Sequence, residues 1–257
     1  MHPETYMKQY YRVVAEELFA DEPDIKVREE LAEQHLVRQF LGSGEGYFFV
    51  EVGANNPFNL SQTWHLAQEG WKGILVEPIP ELCTALRENR PDSVVVEAAC
   101  GAPSAPATAT FTVAKDSGKS TLSSEFLDKR SDVASLITVN VQTLDSILDE
   151  NSVEQIDFIS IDVEGTQFDV LQGFDLQRWK PRLLLVEDHL LDTKTHKLLL
   201  KQKYQLVKRT LFNNWYIPLG SDKPATGKKE DQILRGKLRR IPIRNIRFRL
   251  RRILGKG

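Results

Sequence analysis

From residue 47 onward the chain alternates between two kinds of stretch. Short apolar runs rich in Val, Ile, Leu and Phe end in glycine or an acid, and the segments between them carry apolar residues three or four apart. The runs Tyr47–Val52, Gly73–Glu77, Val94–Glu97, Ile156–Val163 and Arg182–Glu187 read as strands of a buried sheet. Leu60–Glu69, Pro80–Asn89, Leu144–Leu148 and Leu190–Lys203 read as helices, the first stopped by Gly70. Beyond Gly165, the spacing of Phe168, Val170 and Leu171 predicts a further helix that Gly173 closes. Thr108–Val113 and Ile137–Gln142 alternate and are rich in Thr and Val, which predicts an antiparallel pair. Tyr204–Lys208 and Trp215–Pro218 are final strands. The alternation from 47 to 208 predicts an α/β, Rossmann-like fold, a mainly parallel sheet with helices on both faces.

The two ends break this rhythm. Tyr6, Tyr10, Val13, Val14, Leu18 and Phe19 follow helical spacing, and a second helix is expected over Ile25–Leu41. We therefore divide the chain into a helical extension (1–45), an α/β domain (46–222) and a basic tail (223–257). Residues 228–257 hold 12 Lys+Arg against 2 Asp+Glu, leaving 22 and 34 for the rest, so an acidic body carries a basic tail. In the tail, Ile243, Ile246, Leu250, Ile253 and Leu254 form one helical stripe among arginines, as in helices that lie on anionic membranes. A disordered tail, or one docked on the acidic body, is the plain alternative. Nucleic acid is not expected, because no aromatic platform accompanies the charge. No apolar run reaches the ~20 residues of a membrane span, and the N-terminus lacks a secretory core. The expected compartment is the cytoplasm, with peripheral contact to the inner face of a membrane through 235–257. The two cysteines and five scattered histidines have no metal-binding spacing, so two reduced thiols and no resident metal are expected.

The chemistry concentrates at strand ends. Asp162 and Glu164 stand where an apolar strand hands over to a helix, a costly place for charge unless it is partnered or used. Near the start of the domain, a strand runs into Gly53-Ala54-Asn55-Asn56-Pro57, and the next strand ends in Glu77, 24 residues after Gly53. That spacing suits a carboxylate gripping a ribose diol. The second and third glycines of a dinucleotide fingerprint are missing, which argues against NAD and FAD. S-adenosylmethionine, with adenine and ribose but no phosphate, fits. Ser117-Gly118-Lys119-Ser120-Thr121 lacks the spacing of a phosphate loop and is expected to reach over a site.

At this point the chain resembles the FkbM family of class I S-adenosylmethionine-dependent methyltransferases. The matching pieces come in family order. They are Phe49-Val50-Glu51-Val52-Gly53-Ala54-Asn55, Val76-Glu77-Pro78, Glu97-Ala98-Ala99-Cys100-Gly101, Thr143-Leu144-Asp145, and Ile159 to Gly165 with Val170-Leu171-Gln172-Gly173. Glu51 and Ser160 depart from residues common in the family, Asp and Lys respectively. The resemblance implies a class I methyltransferase fold and methylation of a hydroxyl on a sugar, glycan or secondary metabolite. It places Glu51, Gly53, Ala54 and Asn55 along the methionine part of the cofactor, Glu77 on the ribose, Ala98 and Ala99 beside the adenine, and Asp162 and Glu164 where methyl meets acceptor.

An alcohol must lose a proton to accept a methyl group, and Glu164, Asp162 and His189 are the candidate catalytic bases. The same strand-end groups could instead hold a divalent metal, the less favoured reading. In the plainest readings Asp162 caps the following helix, Glu187-Asp188-His189 is an exposed strand-end cluster, and Trp215 is core rather than a sugar-stacking platform. The acceptor is expected to be a small molecule, a glycan or a lipid-linked compound. From a different class, the alternative is a non-catalytic S-adenosylmethionine-binding adaptor that recruits partners through its terminal extensions.

Overall fold

The computed structural model describes residues 3–123, 132–188, 193–210, 212–224, 232, 234–236 and 238–239, with side chains from Tyr11 onward. The chain runs α1 (Pro3–Leu18), α2 (Ile25–Leu41), β1 (Phe48–Val52), α3 (Trp64–Ala67), β2 (Lys72–Glu77), α4 (Pro80–Asn89), β3 (Ser93–Glu97), β4 (Ala99–Cys100) and β5 (Thr108–Ala114). It continues with β6 (Val133–Gln142), α5 (Leu144–Glu150), β7 (Phe158–Ile161), α6 (Gln167–Gln172), α7 (Leu176–Trp179), β8 (Leu183–Glu187), α8 (Lys194–Lys201), β9 (Tyr204–Thr210) and β10 (Asn213–Pro218). Packing divides it into two compact units, one over residues 41–187 and one joining residues up to 40 with those from 188 onward.

In the 41–187 unit, five strands lie in the order β3-β2-β1-β7-β8, every neighbouring pair parallel. Their apolar composition follows from burial on both faces: Phe49, Val50, Ile74, Leu75, Phe158, Ile159, Leu184 and Leu185 are all fully buried. β3 is the edge, and Val94 on it remains about half exposed. The chain first builds outward from β1 through β2 to β3, then returns to β7 on the other side of β1. With right-handed crossovers this reversal puts the connecting segments of the two halves on opposite faces and opens a crevice at the carboxyl ends of β1 and β7. A second, three-stranded sheet, β4-β6-β5, carries the expected antiparallel pairing of β5 with β6. It forms its own small apolar layer of Ile79, Ala99, Phe111 and Val139.

Two sequence expectations change here. The helix expected over Leu60–Glu69 contracts to the single turn of α3. Leu60 has φ +61°, outside the helical region, and Ser61, Gln62 and Thr63 are bound to the buried carboxylate of Glu51. Gly173 does end α6, but with φ −95° rather than in a left-handed cap. Its lack of a side chain serves packing: a Cβ there would stand 2.6 Å from the carbonyl oxygen of Gly101.

The other unit is built on α1, α2, α8 and the antiparallel hairpin β9–β10, which is bulged at Trp215/Tyr216. Tyr11, Ala15 and Ala32 pack α1 on α2, and Tyr11 Oη donates to the carbonyl of Glu29. The buried Glu33 carboxylate accepts from Thr210 Oγ1 and, at 2.8 Å, from Asn213 Nδ2, joining α2 to the hairpin. Trp215 is fully buried and donates its indole N–H to Thr210 at 2.7 Å, so it is core and not a platform for a sugar. Asp188 is also buried, not exposed, and its carbonyl accepts from Arg209 and Asn214.

Candidate functional site

The turn after β1 is shaped by contact with the turn after β7. Gly53 has φ +84°, and any Cβ there would overlap the carbonyl oxygen of Asp162. Only glycine lets the two backbones approach this closely. The N–H groups of Gly53 and Ala54 both donate to the carbonyl of Val76 at the end of β2, at 2.9 and 3.1 Å. The turn is thereby fixed to strands on either side. Asn55 follows with φ +46°, which its side chain tolerates.

A cavity opens above these strand ends. It encloses about 590 Å³ of space between its lining atoms, open solvent at its mouth included. Val52, Gly53 and Asn55 form one wall, with Val76, Glu77 and Pro78 beside them. Ala98, Ala99 and Cys100 supply an apolar stretch backed by Phe111, and Asp162, Val163 and Glu164 close the far side. Ser117, Gly118, Ser120 and Leu122 also line it, so the polar loop does reach over the site. This loop is clasped at two points. Ser117 Oγ donates to Asn55 Oδ1 at 2.9 Å, and Thr121 Oγ1 donates to the carbonyl of Glu164 at 2.8 Å.

Four carboxyls have distinct environments. Glu77 is buried, with Oε2 accepting from the N–H of Asn55 and Oε1 from the N–H of Ile79, each at 2.9 Å. Burial pushes its carboxyl up to about 7 despite those two bonds. Asp162 is hydrogen-bonded to Glu187 at the end of β8; burial first, and then Glu187, raise it well above the usual carboxylate range. Its Oδ1 is buried without a partner. Glu164 is half-buried at φ +48°, a strained conformation for glutamate. Burial and Glu187 push its carboxyl up to about 7, opposed by Lys119. Glu51, also raised by burial, faces away into a network of its own.

That network corrects the place expected for Glu51 along the cofactor. Its carboxylate accepts from Ser61 Oγ, the N–H of Gln62 and Thr63 Oγ1, and it does not line the cavity. Arg90, at the end of α4, completes the cluster through Pro57 O, Ser61 and Thr63, with its guanidinium 5.6 Å from the ring centre of Phe49 and 5.2 Å from that of Trp64. Ala54 likewise lies behind the cavity wall rather than in it. Asp162 does not cap α6, which begins at Gln167 with no side-chain cap. His189 lies outside the described residues. Gly53, Asn55, Glu77, Ala98, Ala99, Asp162 and Glu164 are brought together around one space.

Sequence reasoning named Glu187 only as part of an exposed strand-end cluster and did not single out Phe111 or Arg90. Glu187 ends the strand next to β7, a neighbourhood visible only once the strand order is known. Cys83 and Cys100 are both unpaired and buried, and burial pushes each thiol up to about 12, so neither is a nucleophile at neutral pH. Among the described residues no group of three or more His, Cys, Asp or Glu is arranged to hold a metal ion. No helix among them is long and apolar enough to cross a membrane.

The cavity fits S-adenosylmethionine by two features: the close-approach glycine turn and the ribose-spaced acid at the end of β2. A parallel sheet reversing at β1, with this cavity over the reversal, is a Rossmann-like cofactor-binding arrangement, and the family match makes it an S-adenosylmethionine-dependent methyltransferase. The methyltransferase FkbM domain model matches residues 51–206, and the chain belongs to that family. Solved structures with a similar chain course include precorrin-6y C5,15-methyltransferase from Geobacter metallireducens GS-15, with 12% identity, 73% of this chain and 86% of that one covered, and a TM-score of 0.36. Another is the N-terminal domain of human METTL16 in complex with SAH, with 13% identity, 83% and 81% covered, and a TM-score of 0.42. Human methyltransferase 10 domain containing protein matches at 12% identity, 85% and 98% covered, and a TM-score of 0.41. No curated protein sequence matches the chain.

Proposed function

We propose that the protein is an O-methyltransferase acting on a hydroxyl of a sugar, glycan or secondary metabolite. The observation that carries this reading is Glu164: a carboxyl in the cavity wall, held by a strained backbone beside Asp162, with its proton affinity raised to the neutral range. An alcohol keeps its proton at neutral pH and must lose it as the new bond forms. A base matched to neutral pH is what that requires.

The bound cofactor would supply a methyl carbon on a sulfonium, already a good leaving group. Glu77 would accept the ribose hydroxyls through the lone pairs its two backbone bonds leave free, and Ala98 and Ala99 would border the adenine. Asp162 Oδ1 would face the positive end. Glu164 would take the acceptor's proton as the oxygen–carbon bond forms and the carbon–sulfur bond breaks. Alignment of the two reactants supplies most of the remaining acceleration.

The test is transfer of isotopically labelled methyl from S-adenosylmethionine to glycan and metabolite fractions, followed by mass spectrometry of the product. A methyl ether that disappears in Glu164→Gln supports the reading; a methylamine or carbon-methylated product overturns it. If the acceptor is lipid-linked, the basic tail over 235–257 would bring the enzyme to an anionic surface. Unchanged binding to anionic liposomes after its deletion would remove that role.

A further inference from the structure

Glu164 stands in a turn that a glutamate does not favour. Its φ of +48° crowds the Cβ against the residue's own carbonyl oxygen. Such a conformation persists only where the surrounding structure imposes it. Part of the restraint is local: the N–H of Asp162 donates to the carbonyl of Val52 at 3.0 Å, and Thr166 Oγ1 donates to the carbonyl of Val163 at 3.2 Å. The middle of the turn is held from another sheet. Thr121 Oγ1 donates at 2.8 Å to the carbonyl of Glu164, the same oxygen that the Cβ crowds.

Thr121 is itself a fixed point. Its backbone is bridged to Thr112 of β5 by two hydrogen bonds, at 2.9 and 3.0 Å. Phe111, beside Thr112, lines the cavity, so the strand that anchors Thr121 is part of the site's frame. The Thr121 side chain is fully buried, and its hydroxyl accepts from the N–H of Ser123 at 2.9 Å. A hydroxyl has one proton to give. With Ser123 on its acceptor side, that proton is directed at the Glu164 carbonyl. Fixing this carbonyl fixes the peptide plane after Glu164, because the peptide is planar. The direction in which the Glu164 side chain leaves the turn is thereby set. Glu164 lines the cavity and Thr121 does not, so the clamp acts from behind the wall.

We infer that Thr121 is a positioning residue for methyl transfer: its hydroxyl clamps the peptide plane after Glu164 and so holds the carboxyl of that base at the cavity, while Thr121 itself meets neither cofactor nor acceptor. The catalytic consequence rests on the O-methyltransferase reading, to which the inference adds the part that keeps the base in place.

The test follows the Glu164 carboxyl directly, by its NMR signal against pH in the full chain carrying isotopically labelled glutamate. In the wild type, burial and Glu187 push it up to about 7, with Lys119 opposing and Asp116 adding. Thr121→Val keeps the shape and loses the hydroxyl. The freed turn should let the carboxyl reach water, and its titration should fall by about one pH unit or more toward 4.5. Thr121→Ala should do the same, and Thr121→Ser, which keeps the hydroxyl, should hold it near 7. Unchanged amide signals in β1 and β2 separate a lost clamp from a lost fold. Thr121→Val should also slow labelled methyl transfer on the order of 10²-fold, as for a group misplaced by about 1 Å. In a Glu164→Gln background the same change should alter transfer by no more than about twofold. The inference is overturned if Thr121→Val and Thr121→Ala leave the titration unmoved, if Thr121→Ser does as much damage as they do, or if transfer falls equally in both backgrounds. The O-methyltransferase reading fails separately, through a product methylated on nitrogen or carbon, which leaves the titration result standing.

Discussion

The backbone N–H of Asn55 donates to Oε2 of Glu77 at 2.9 Å, so the glycine turn after β1 and the acid ending β2 are held as one unit. Glu77→Gln would put an amide NH₂ opposite one of two backbone N–H groups, Asn55 or Ile79, and leave that donor unsatisfied. We expect a loss of about 1–3 kcal/mol in stability and a marked loss of cofactor affinity, read by urea unfolding and by calorimetry with S-adenosylhomocysteine.

The protonation of Glu77 gives a signed pH dependence. Its carboxyl rises from 4.5 to about 7 on folding, so between those values the folded cofactor-free protein holds a proton that the unfolded chain has released. The contribution is complete below pH 4.5 and is lost as pH rises toward about 7. Glu164 adds in the same direction. Ribose hydroxyls donate best to the ionised carboxylate, so cofactor affinity should run the opposite way, increasing as pH rises to about 7 and then levelling. Thermal unfolding and calorimetry at pH 5, 6, 7 and 8 would show the two opposed slopes. Parallel slopes would rule out Glu77 as the ribose ligand.

Glu164→Gln should lower kcat by about 10²–10⁴-fold, the range for losing a general base, with little change in cofactor affinity. Thr121 holds the backbone carbonyl of Glu164 rather than its side chain, so the clasp survives the substitution. The variant should also lose the limb of the pH–rate profile near 7. A wild-type-like profile would assign the proton to another group.

Removing Arg90 leaves the buried Glu51 carboxylate without its cation. Arg90→Leu also removes its hydrogen bonds to Pro57, Ser61 and Thr63 and should cost about 1–3 kcal/mol, measured by denaturant unfolding. Restoring part of that loss by adding Glu51→Gln would establish that the two side chains are coupled.

The strands were legible in the sequence because a sheet buried on both faces needs continuous apolar runs, and β2, β3 and β8 fall within one residue of their expected bounds. Pro80 at the first turn likewise marks α4 with both its ends. Leu60–Thr63 misled because the periodicity there is helical, while the Glu51 carboxylate, in β1, takes the hydroxyls and N–H that a helix would organise. Glu51 misled for the same reason: its position at a strand end is that of a cofactor ligand, but which face it turns to depends on Ser61, Thr63 and Arg90. Asp162 and Glu164 were legible as charges at the end of an apolar strand. Their partner Glu187 was not, since only the order β1-β7-β8 puts it beside them.

Arg90 also bears on how the molecule opens. Its guanidinium reaches back from the end of α4 to Pro57, Ser61 and Thr63, closing the stretch that holds α3, β2 and α4, and it lies 5.6 Å from the ring centre of Phe49 in β1. Residues 48–90 should then exchange their amide protons as one cooperative block, with the cofactor turn as protected as the strands beneath it. Among the described residues, the strap over the site is fastened to the strand-end turns by two side-chain hydrogen bonds, Ser117 to Asn55 and Thr121 to Glu164. It can release without disturbing that block, so ligand would enter and leave by unfastening the strap while the floor beneath it stays folded.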